Sequence, residues 1–175
     1  MLKTGVKRLG CLAGMVLVLL AGCGESQEDQ AFRQQLKDKA LNDETRQQGT
    51  AFLADNAKQA GIQTTASGLQ YRIEVPGEGP HPHITDLVTV HYEGQRVDGF
   101  VFDSSYQRGE PSVFPLNRVI RGWTEGVGMM NKGAVWTLFI PPELAYGATS
   151  PSDDIPANST LIFKVELIDF EPVNR

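Results

Sequence analysis

The chain has 175 residues, of which 41% are hydrophobic and 21% are charged, and its formal net charge is −5 at pH 7. This length and apolar content support one globular domain with some additional sequence, and they exclude a wholly disordered protein. The acidic balance argues against a nucleic-acid-binding protein, because such proteins need a basic surface to neutralise phosphates.

The first 23 residues have the pattern of a bacterial lipoprotein signal peptide. Three basic residues, Lys3, Lys7 and Arg8, precede an apolar segment over residues 9–22, which is shorter than the roughly 20 residues of a membrane-spanning helix. The segment ends in Leu-Ala-Gly followed by Cys23, which resembles a lipobox, the site where a cysteine thiol receives lipid. We therefore expect removal of residues 1–22 and lipidation of Cys23. The alternative is an ordinary signal peptide with a chance cysteine.

The lipoprotein pattern also predicts a location. A lipidated Cys23 anchors the chain in the bacterial envelope, facing the periplasm. Gly24 stands where an aspartate would resemble an inner-membrane retention signal, so the outer membrane is favoured over the inner membrane. Cys11 would be removed with the signal peptide, which leaves no cysteine for a disulfide or a metal site.

Residues 23–63 are expected to form the lipid anchor and a helical arm. Apolar residues fall at helical spacing within a polar, glutamine-rich sequence, and Gly49 interrupts the pattern. We predict two helices, at 28–47 and 51–60, with Thr50 as the N-cap of the second. The thin apolar stripe favours packing against the chain's own domain or solvation, and homodimerisation through the arm is the alternative.

From residue 64 onward the pattern changes to that of strands. Leu69, Tyr71, Ile73 and Val75 alternate with polar residues and predict a half-buried strand in a lead-in segment over 64–86. Further strands are predicted at 87–94, 134–140 and 161–170, and one helix at 119–130. Several strands and one short helix over residues 87–171 predict an α+β domain.

The sequence shows none of the common catalytic signatures. No serine has an evident histidine and acid partner, and no phosphate-binding glycine motif occurs. His81 and His83 flank a proline in a turn-rich segment, where exposed histidines without a metal are the more common case. His91 lies in a predicted strand, where packing or hydrogen bonding is the expected role. We expect no metal and no cofactor.

The order of the remaining motifs resembles the FKBP-type peptidyl-prolyl cis-trans isomerases. Five segments carry the resemblance: 90–94 (VHYEG), 102–105 (FDSS), 119–126 (VIRGWTEG), 142–147 (PELAYG) and 161–167 (LIFKVEL). The stretch at 66–71 (ASGLQY) is also similar to the lead-in of the bacterial subgroup related to the macrophage infectivity potentiator. The resemblance implies a twisted antiparallel sheet wrapped around one short helix, preceded here by the helical arm.

The resemblance also implies an apolar pocket between helix and sheet. Trp123 is its expected floor, and the expected walls are Tyr92, Phe102, Val119, Ile120 and Phe163. Asp103 and Tyr146 are the expected polar groups facing the substrate, and Ile155 is expected to contribute to substrate binding from a flanking loop. The backbone N–H of Ile120 and the hydroxyl of Tyr146 are expected to hold a substrate carbonyl. Arg108 is expected to pair with Asp103 and to belong to the substrate-binding residues.

The implied activity is isomerisation of X-Pro bonds in unfolded or exported polypeptides. The alternative is a non-catalytic module that binds proline-containing segments or acts as a chaperone. The resemblance further implies a macrolide inhibitor as a ligand. Ser112, Pro151 and Asp154 depart from residues common in the family, and these departures concern substrate preference and inhibitor affinity.

Overall fold

A computed structural model of the protein describes residues 27–41 and 43–173. The predicted signal peptide and Cys23 lie outside the described residues. The described helices are α1 (Gln27–Leu41), α2 (Glu44–Asn56), α3 (Ser105–Arg108) and α4 (Arg121–Gly128), with 3-10 helices at Leu116–Arg118 and Pro142–Leu144. The strands are β1 (Ile62–Thr64), β2 (Gln70–Val75), β3 (Leu87–Arg96), β4 (Val101–Ser104), β5 (Ser112–Pro115), β6 (Val135–Ile140) and β7 (Leu161–Glu171).

All seven strands of the described chain join one antiparallel sheet. Its order is β1-β2-β6-β7-β3-β4, and β5 also pairs with β3. The long strand β3 pairs with β7 on one side, while β5 and β4 follow each other along its other side. The predicted α+β class is therefore confirmed, and β3 is the strand that brings β4, β5 and β7 to one place.

Helix α4 packs closely on the sheet because two of its residues are glycines. A Cβ at Gly122 would lie 2.5 Å from a methyl carbon of Ile140, and a Cβ at Gly126 would lie 2.7 Å from one of Leu138. Trp123 and Val127 each directly follow one of these glycines in sequence and are buried in the core. The glycines thus allow α4 to approach β6, while the side chains that follow them fill the space against the sheet.

The predicted break between two helices at Gly49 is wrong. Helix α2 begins at Glu44, and Asp43 is its N-cap, because the N–H of Arg46 donates to Asp43 Oδ1 at 2.7 Å. Gly49 lies inside α2, where a Cβ would come within 2.3 Å of Thr160 Oγ1. The glycine therefore allows α2 to pack closely against Thr160, the residue directly before β7, and it does not end a helix. Thr50 is not a cap, because it too lies inside α2.

Helix α2 packs against the sheet. The rings of Phe52 and Phe139 lie 6.0 Å apart. The buried Asn56 amide donates to Gln70 Oε1 at 2.8 Å, and Gln70 Nε2 donates to the carbonyl of Leu53 at 2.9 Å. Packing against the chain's own domain, one of the outcomes expected for the arm, is therefore observed for α2.

Helix α1 differs from α2 in its exposure. Phe32 is 61% exposed and Leu36 is 49% exposed, so dimerisation through the arm stays a prediction. None of the described helices is long and apolar enough to cross a membrane.

Strand β2 is less regularly half-buried than its alternating sequence predicts. Leu69, just before the strand, is fully buried, but Ile73 is 38% exposed and Val75 is 46% exposed. Burial on this face therefore decreases along the strand, because only its beginning lies over the core. On the other face Gln70 is buried, and its hydrogen bonds to α2 compensate for the loss of water.

Candidate active site

A cavity of about 460 Å³ opens where α4 meets the sheet. Strands β3, β4, β5 and β7, the segment before α4, and the loop after Pro142–Leu144 each contribute side chains to it. The lining residues are Tyr92, Phe102, Asp103, Phe114, Arg118, Val119, Ile120, Trp123, Tyr146 and Phe163. The structure therefore brings together eight of the ten site residues predicted in the folded domain, and Arg108 and Ile155 are not among the lining residues.

Trp123 lies at the centre of an aromatic cluster. Its ring centre lies 5.2 Å from that of Tyr92, 5.3 Å from that of Phe163 and 6.0 Å from that of Phe114, each nearly perpendicular to it. Such edge-to-face contacts are favourable for aromatic pairs. The side chain is almost fully buried, and its indole N–H has no hydrogen-bond partner within the described chain.

Gly94 permits two of the walls to meet. It lies inside β3, opposite Asp103 of β4 and Phe163 of β7. A Cβ at this position would lie 2.6 Å from the ring of Phe163 and 2.7 Å from that of Phe102. The sequence pattern predicts a strand that ends at Gly94, but β3 continues to Arg96, so this glycine is needed for ring packing.

Both carboxylate oxygens of Asp103 are engaged by neighbouring side chains. The Arg108 guanidinium donates to Oδ1 and forms an ion pair with it, and the Tyr92 hydroxyl donates to Oδ2. Arg108 also donates to the Tyr92 hydroxyl at 3.0 Å. These three side chains therefore form a closed polar network at the edge of the cavity, and the network fixes the orientation of the carboxylate.

Helix α3 is the element that turns Arg108 back toward Asp103. The Ser104 hydroxyl caps its first turn, accepting from the N–H of Gln107 at 3.4 Å, and Gly109 ends it with a φ of 78°. Ser105 anchors it to β3, because the Tyr92 N–H donates to its hydroxyl oxygen at 2.8 Å. A single helical turn thus joins the strand that carries Asp103 to the arginine that pairs with it.

The two tyrosines of the cavity stay protonated at neutral pH. Burial, together with the hydrogen bond to Asp103, raises the pKa of the Tyr92 hydroxyl. Burial and the nearby charge of Asp103 raise the pKa of Tyr146. Each phenol is therefore a hydrogen-bond donor, but their situations differ. Tyr92 already donates to Asp103, whereas the Tyr146 hydroxyl has no partner among residues 27–41 and 43–173.

Ile120 offers a backbone donor at the mouth of the same cavity. It is the N-cap of α4, and its carbonyl accepts from the N–H groups of Trp123 at 2.9 Å and Thr124 at 3.1 Å. Its own N–H donates to no acceptor in the described part of the chain. An unpaired N–H at the start of a helix suits a ligand carbonyl.

Sequence reasoning missed Phe114 as a wall of the cavity. This residue lies on β5, where Ser112 and Phe114 point inward and alternate with the exposed Val113 and Pro115. Its ring lies 6.0 Å from that of Tyr92 and 6.0 Å from that of Trp123. Phe114 thus provides an aromatic wall two residues from Ser112, which instead accepts a hydrogen bond from Arg108 at 3.0 Å. The period-two alternation is the signal that could have identified it.

Arg118 is the second lining residue that sequence reasoning missed. It ends the 3-10 helix Leu116–Arg118 and is exposed at the cavity. Within the described residues its guanidinium forms no ion pair and no hydrogen bond, whereas the charge of Asp103 is balanced by Arg108. The mouth of the cavity therefore carries one unbalanced positive charge.

Ile155 lies away from the cavity lining. It is 7% exposed and belongs to the hydrophobic core, and its N–H donates to the carbonyl of Ser152 at 3.2 Å. It does lie on the loop after Tyr146, as expected, together with Pro151 and Asp154. Within the described chain, no three histidine, cysteine or acidic side chains are grouped so that they could hold a metal ion.

Two family models match the sequence. The one described as FKBP-type peptidyl-prolyl cis-trans isomerase matches residues 79–168. The one described as the domain amino terminal to FKBP-type peptidyl-prolyl isomerase matches residues 23–73. The first model spans every residue that lines the cavity.

Relatives and solved structures are similar over most of the chain. FKBP-type peptidyl-prolyl cis-trans isomerase FkpA of Aeromonas hydrophila is 48% identical over 83% of this chain and 54% of that protein. Outer membrane protein MIP of Legionella longbeachae is 45% identical over 72% of this chain and 54% of that protein. The crystal structure of FkpA from Escherichia coli matches with a TM-score of 0.73 at 40% identity, covering 86% of this chain and 75% of that chain. The chain spans about half the length of the curated relatives it matches.

Proposed function

Because the chain belongs to the family of FKBP-type peptidyl-prolyl cis-trans isomerases, we propose that it accelerates rotation about X-Pro bonds in proline-containing polypeptides. The observation that carries this proposal is the aromatic cavity around Trp123, at whose edge a fixed carboxylate and two unpaired hydrogen-bond donors meet. Unfolded exported proteins are the proposed substrates, because an open cavity can accept a short extended segment but not a folded domain.

The chemistry required of the cavity is modest. Rotation about a peptide bond costs about 18–20 kcal/mol, because the resonance between nitrogen and carbonyl is lost. The cis and trans forms of an X-Pro bond differ by only about 0.5–1 kcal/mol, so the barrier alone makes the exchange slow. No covalent bond is made or broken, and therefore the reaction needs no nucleophile.

An apolar cavity favours the twisted transition state over the planar amide. The planar amide has more separated charge than the twisted one, so removal from water destabilises the planar form more. The aromatic walls around Trp123 supply this environment. An enzyme gains rate only from interactions that are stronger in the transition state than in the ground state, and desolvation of the amide meets that condition.

Three polar groups are proposed to act on the rotating amide. The Ile120 N–H and the Tyr146 hydroxyl donate to substrate carbonyl oxygens, since both donors lack a partner in the described chain. The Asp103 carboxylate, held by Arg108 and Tyr92, stabilises the carbonyl carbon after it rotates out of conjugation. Arg108 acts through Asp103 and does not contact the substrate.

A protease-coupled assay on a short peptide with one X-Pro bond tests the proposal. The wild-type chain should accelerate the slow phase in proportion to its concentration. Tyr146→Phe and Asp103→Asn should each lower kcat about fivefold to a hundredfold, because one hydrogen bond or charge contact supplies about 1–3 kcal/mol. Their matched controls are Tyr106→Phe and Asp169→Asn, which remove the same groups outside the cavity.

Two outcomes would contradict the assignments. Full activity in both cavity variants, on stably folded protein, would show that Asp103 and Tyr146 take no part in the reaction. The apolar cavity would then be the only remaining source of the rate acceleration. Peptide binding without acceleration by the wild-type chain would replace the isomerase with a non-catalytic module that binds proline-containing segments.

We propose that the same cavity binds a macrolide inhibitor. Its volume of about 460 Å³ lies within the usual range of small-molecule sites, about 300–1,000 Å³. Such an inhibitor should compete with the peptide substrate, since both require the space above Trp123. Inhibition that leaves the apparent KM unchanged would contradict a shared site.

We propose attachment to the outer membrane through lipid on Cys23, with the domain facing the periplasm. The support is the lipobox-like sequence before Cys23 and the similarity to a protein named as an outer membrane protein. Cys23→Ser should leave an unprocessed or soluble chain, because lipid attachment requires the thiol. Partition of a cleaved Cys23→Ser chain into detergent would contradict lipid anchoring.

A further inference from the structure

Tyr146 lies on the loop over residues 143–158, and backbone hydrogen bonds hold this loop near its two ends. The N–H of Asn158 donates to the carbonyl of Gly147 at 2.7 Å, and the N–H of Gly147 donates to that of Pro142 at 2.8 Å. Asn158 is buried and has a φ of 61°, in the left-handed region that non-glycine residues rarely adopt. These bonds thus close the loop next to Tyr146 in sequence.

The first turn of α2 contacts both ends of this loop. Asp43 accepts from the side-chain amide of Asn158 with Oδ2 while it caps α2 with Oδ1. One turn later, the Arg46 guanidinium forms an ion pair with Glu143, three residues before Tyr146. Further along α2, Gly49 lies directly against Thr160, two residues after Asn158, so the helix also contacts the chain just beyond the loop.

Nothing at the tip of Tyr146 fixes its position. The residue is 41% exposed, and its hydroxyl has no partner in the part of the chain that the structure describes. Its position therefore depends on the backbone of the loop that carries it, where the Tyr146 carbonyl accepts from the N–H of Thr149 at 3.2 Å and the bonds described above hold the two ends. A group that acts by orientation loses effect when its support loosens, since a displacement of about 1 Å can reduce a rate a hundredfold.

We propose that the first turn of α2 positions Tyr146, with Asp43 and Arg46 as positioning residues that act through Asn158 and Glu143. The inference rests on the proposed function, because it assigns to Tyr146 a contact with the substrate. This role for α2 gives the helical arm a part in the reaction itself, in addition to the proposed attachment to the membrane through Cys23. The first turn of α2 thus affects the orientation of a side chain more than 90 residues away in sequence.

The test uses substitutions that separate the loop contact from the helix cap. Asp43→Ser keeps a capping hydroxyl but is too short to reach Asn158. Asp43→Asn keeps the cap through its Oδ1, and its NH2 group can donate to Asn158 Oδ1 once the Asn158 amide turns over. Arg46→Gln removes the ion pair with Glu143. The control is Asn56→Ala, which loosens the other end of α2 by removing its bond to Gln70 without touching the loop.

Asp43→Ser and Arg46→Gln should each lower kcat about twofold to tenfold, the effect of one hydrogen bond or exposed ion pair, with little change in KM. Asp43→Asn should restore the rate, and Asn56→Ala should lower stability with an unchanged kcat. In a Tyr146→Phe background, Asp43→Ser should have no further effect on kcat. Equal losses with and without the Tyr146 hydroxyl would overturn the proposal.

Amide hydrogen exchange gives a readout that does not depend on activity. Asp43→Ser should accelerate exchange at the amides of Gly147, Thr149 and Asn158 about twofold to tenfold, and Asn56→Ala should not do so selectively. Unchanged exchange at these amides, or equal acceleration by both variants, would overturn the proposal. If the wild-type chain catalyses no isomerisation, the proposed function fails, while the exchange data still decide whether α2 holds the loop.

Discussion

Replacing Gly94 with alanine should displace two walls of the cavity. The added Cβ would lie 2.6 Å from Cε1 of Phe163 and 2.7 Å from Cε2 of Phe102. Favourable contacts between carbon atoms are about 3.5–4.0 Å long, so each of the two rings must move by roughly 1 Å. Phe102 is half-buried and can shift, but Phe163 is almost fully buried and lies 5.3 Å from the ring of Trp123.

The displacement should reduce both stability and substrate binding. Overpacking of a well-packed core costs about 1–3 kcal/mol, and we expect the free energy of unfolding to fall by that amount in Gly94→Ala. The KM for a short X-Pro peptide should rise, because the displaced rings occupy space in the cavity. Urea denaturation followed by tryptophan fluorescence measures the first effect, and steady-state isomerisation measures the second.

Gly128→Ala is the matched control for this prediction. Gly128 is the last residue of α4, and a Cβ there would meet no atom within 4 Å. The same substitution should therefore leave activity unchanged and stabilise the fold by about 0.4–1 kcal/mol, since alanine restricts the unfolded chain more than glycine does. A Gly94→Ala chain with wild-type stability and wild-type KM would refute the argument that this glycine holds the two walls together.

Three further results are expected. Trp123→Ala should lose peptide binding and about 3–5 kcal/mol of stability together, because a large buried ring would leave a cavity behind; equilibrium denaturation and peptide titration measure both. Arg118→Gln should lower the ratio of the isomerisation rate for a peptide with glutamate before proline to that for a peptide with lysine before proline. The expected decrease is about twofold to fivefold, the effect of an exposed ion pair, and added salt should remove the difference between wild type and variant. Because burial raises the pKa of Tyr146 above its usual value, kcat should stay constant from pH 7 to about pH 9.

Each of these results has a contradicting outcome. A stable Trp123→Ala chain with unchanged peptide affinity would mean that substrate binds elsewhere. An Arg118→Gln chain with the wild-type ratio of rates would show that this charge does not reach the substrate. A fall in kcat between pH 7 and about pH 9 that disappears in Tyr146→Phe would show that Tyr146 ionises in this range and would contradict its raised pKa.

The sequence predicted the cavity better than its surroundings. Trp123, Tyr92 and Phe163 occur in motifs whose order matches a known family, and the structure brings their rings together. Phe114 and Arg118 lie between those motifs, where the resemblance gave no assignment. Their positions depend on the pairing of β5 with β3, which no local pattern reveals.

Gly49 shows why the arm was harder to predict. A glycine within a helical pattern usually indicates an end, because glycine is a poor helix former. Here the glycine is retained inside α2 because Thr160 lies against it, a contact between residues 111 positions apart in the sequence. Ile155 shows the converse, since it lies on the flanking loop as expected, but its side chain is buried in the core and does not line the cavity.

Exchange spectroscopy by NMR on an X-Pro peptide tests the central claim most directly. It measures the cis–trans exchange rate and the two populations at equilibrium, without a protease. A small molar fraction of the wild-type chain should raise the exchange rate many-fold and leave the ratio of cis to trans unchanged, because a catalyst lowers the barrier in both directions. A shifted ratio under stoichiometric protein, with no gain in exchange rate, would identify a binding module and contradict the proposed isomerase.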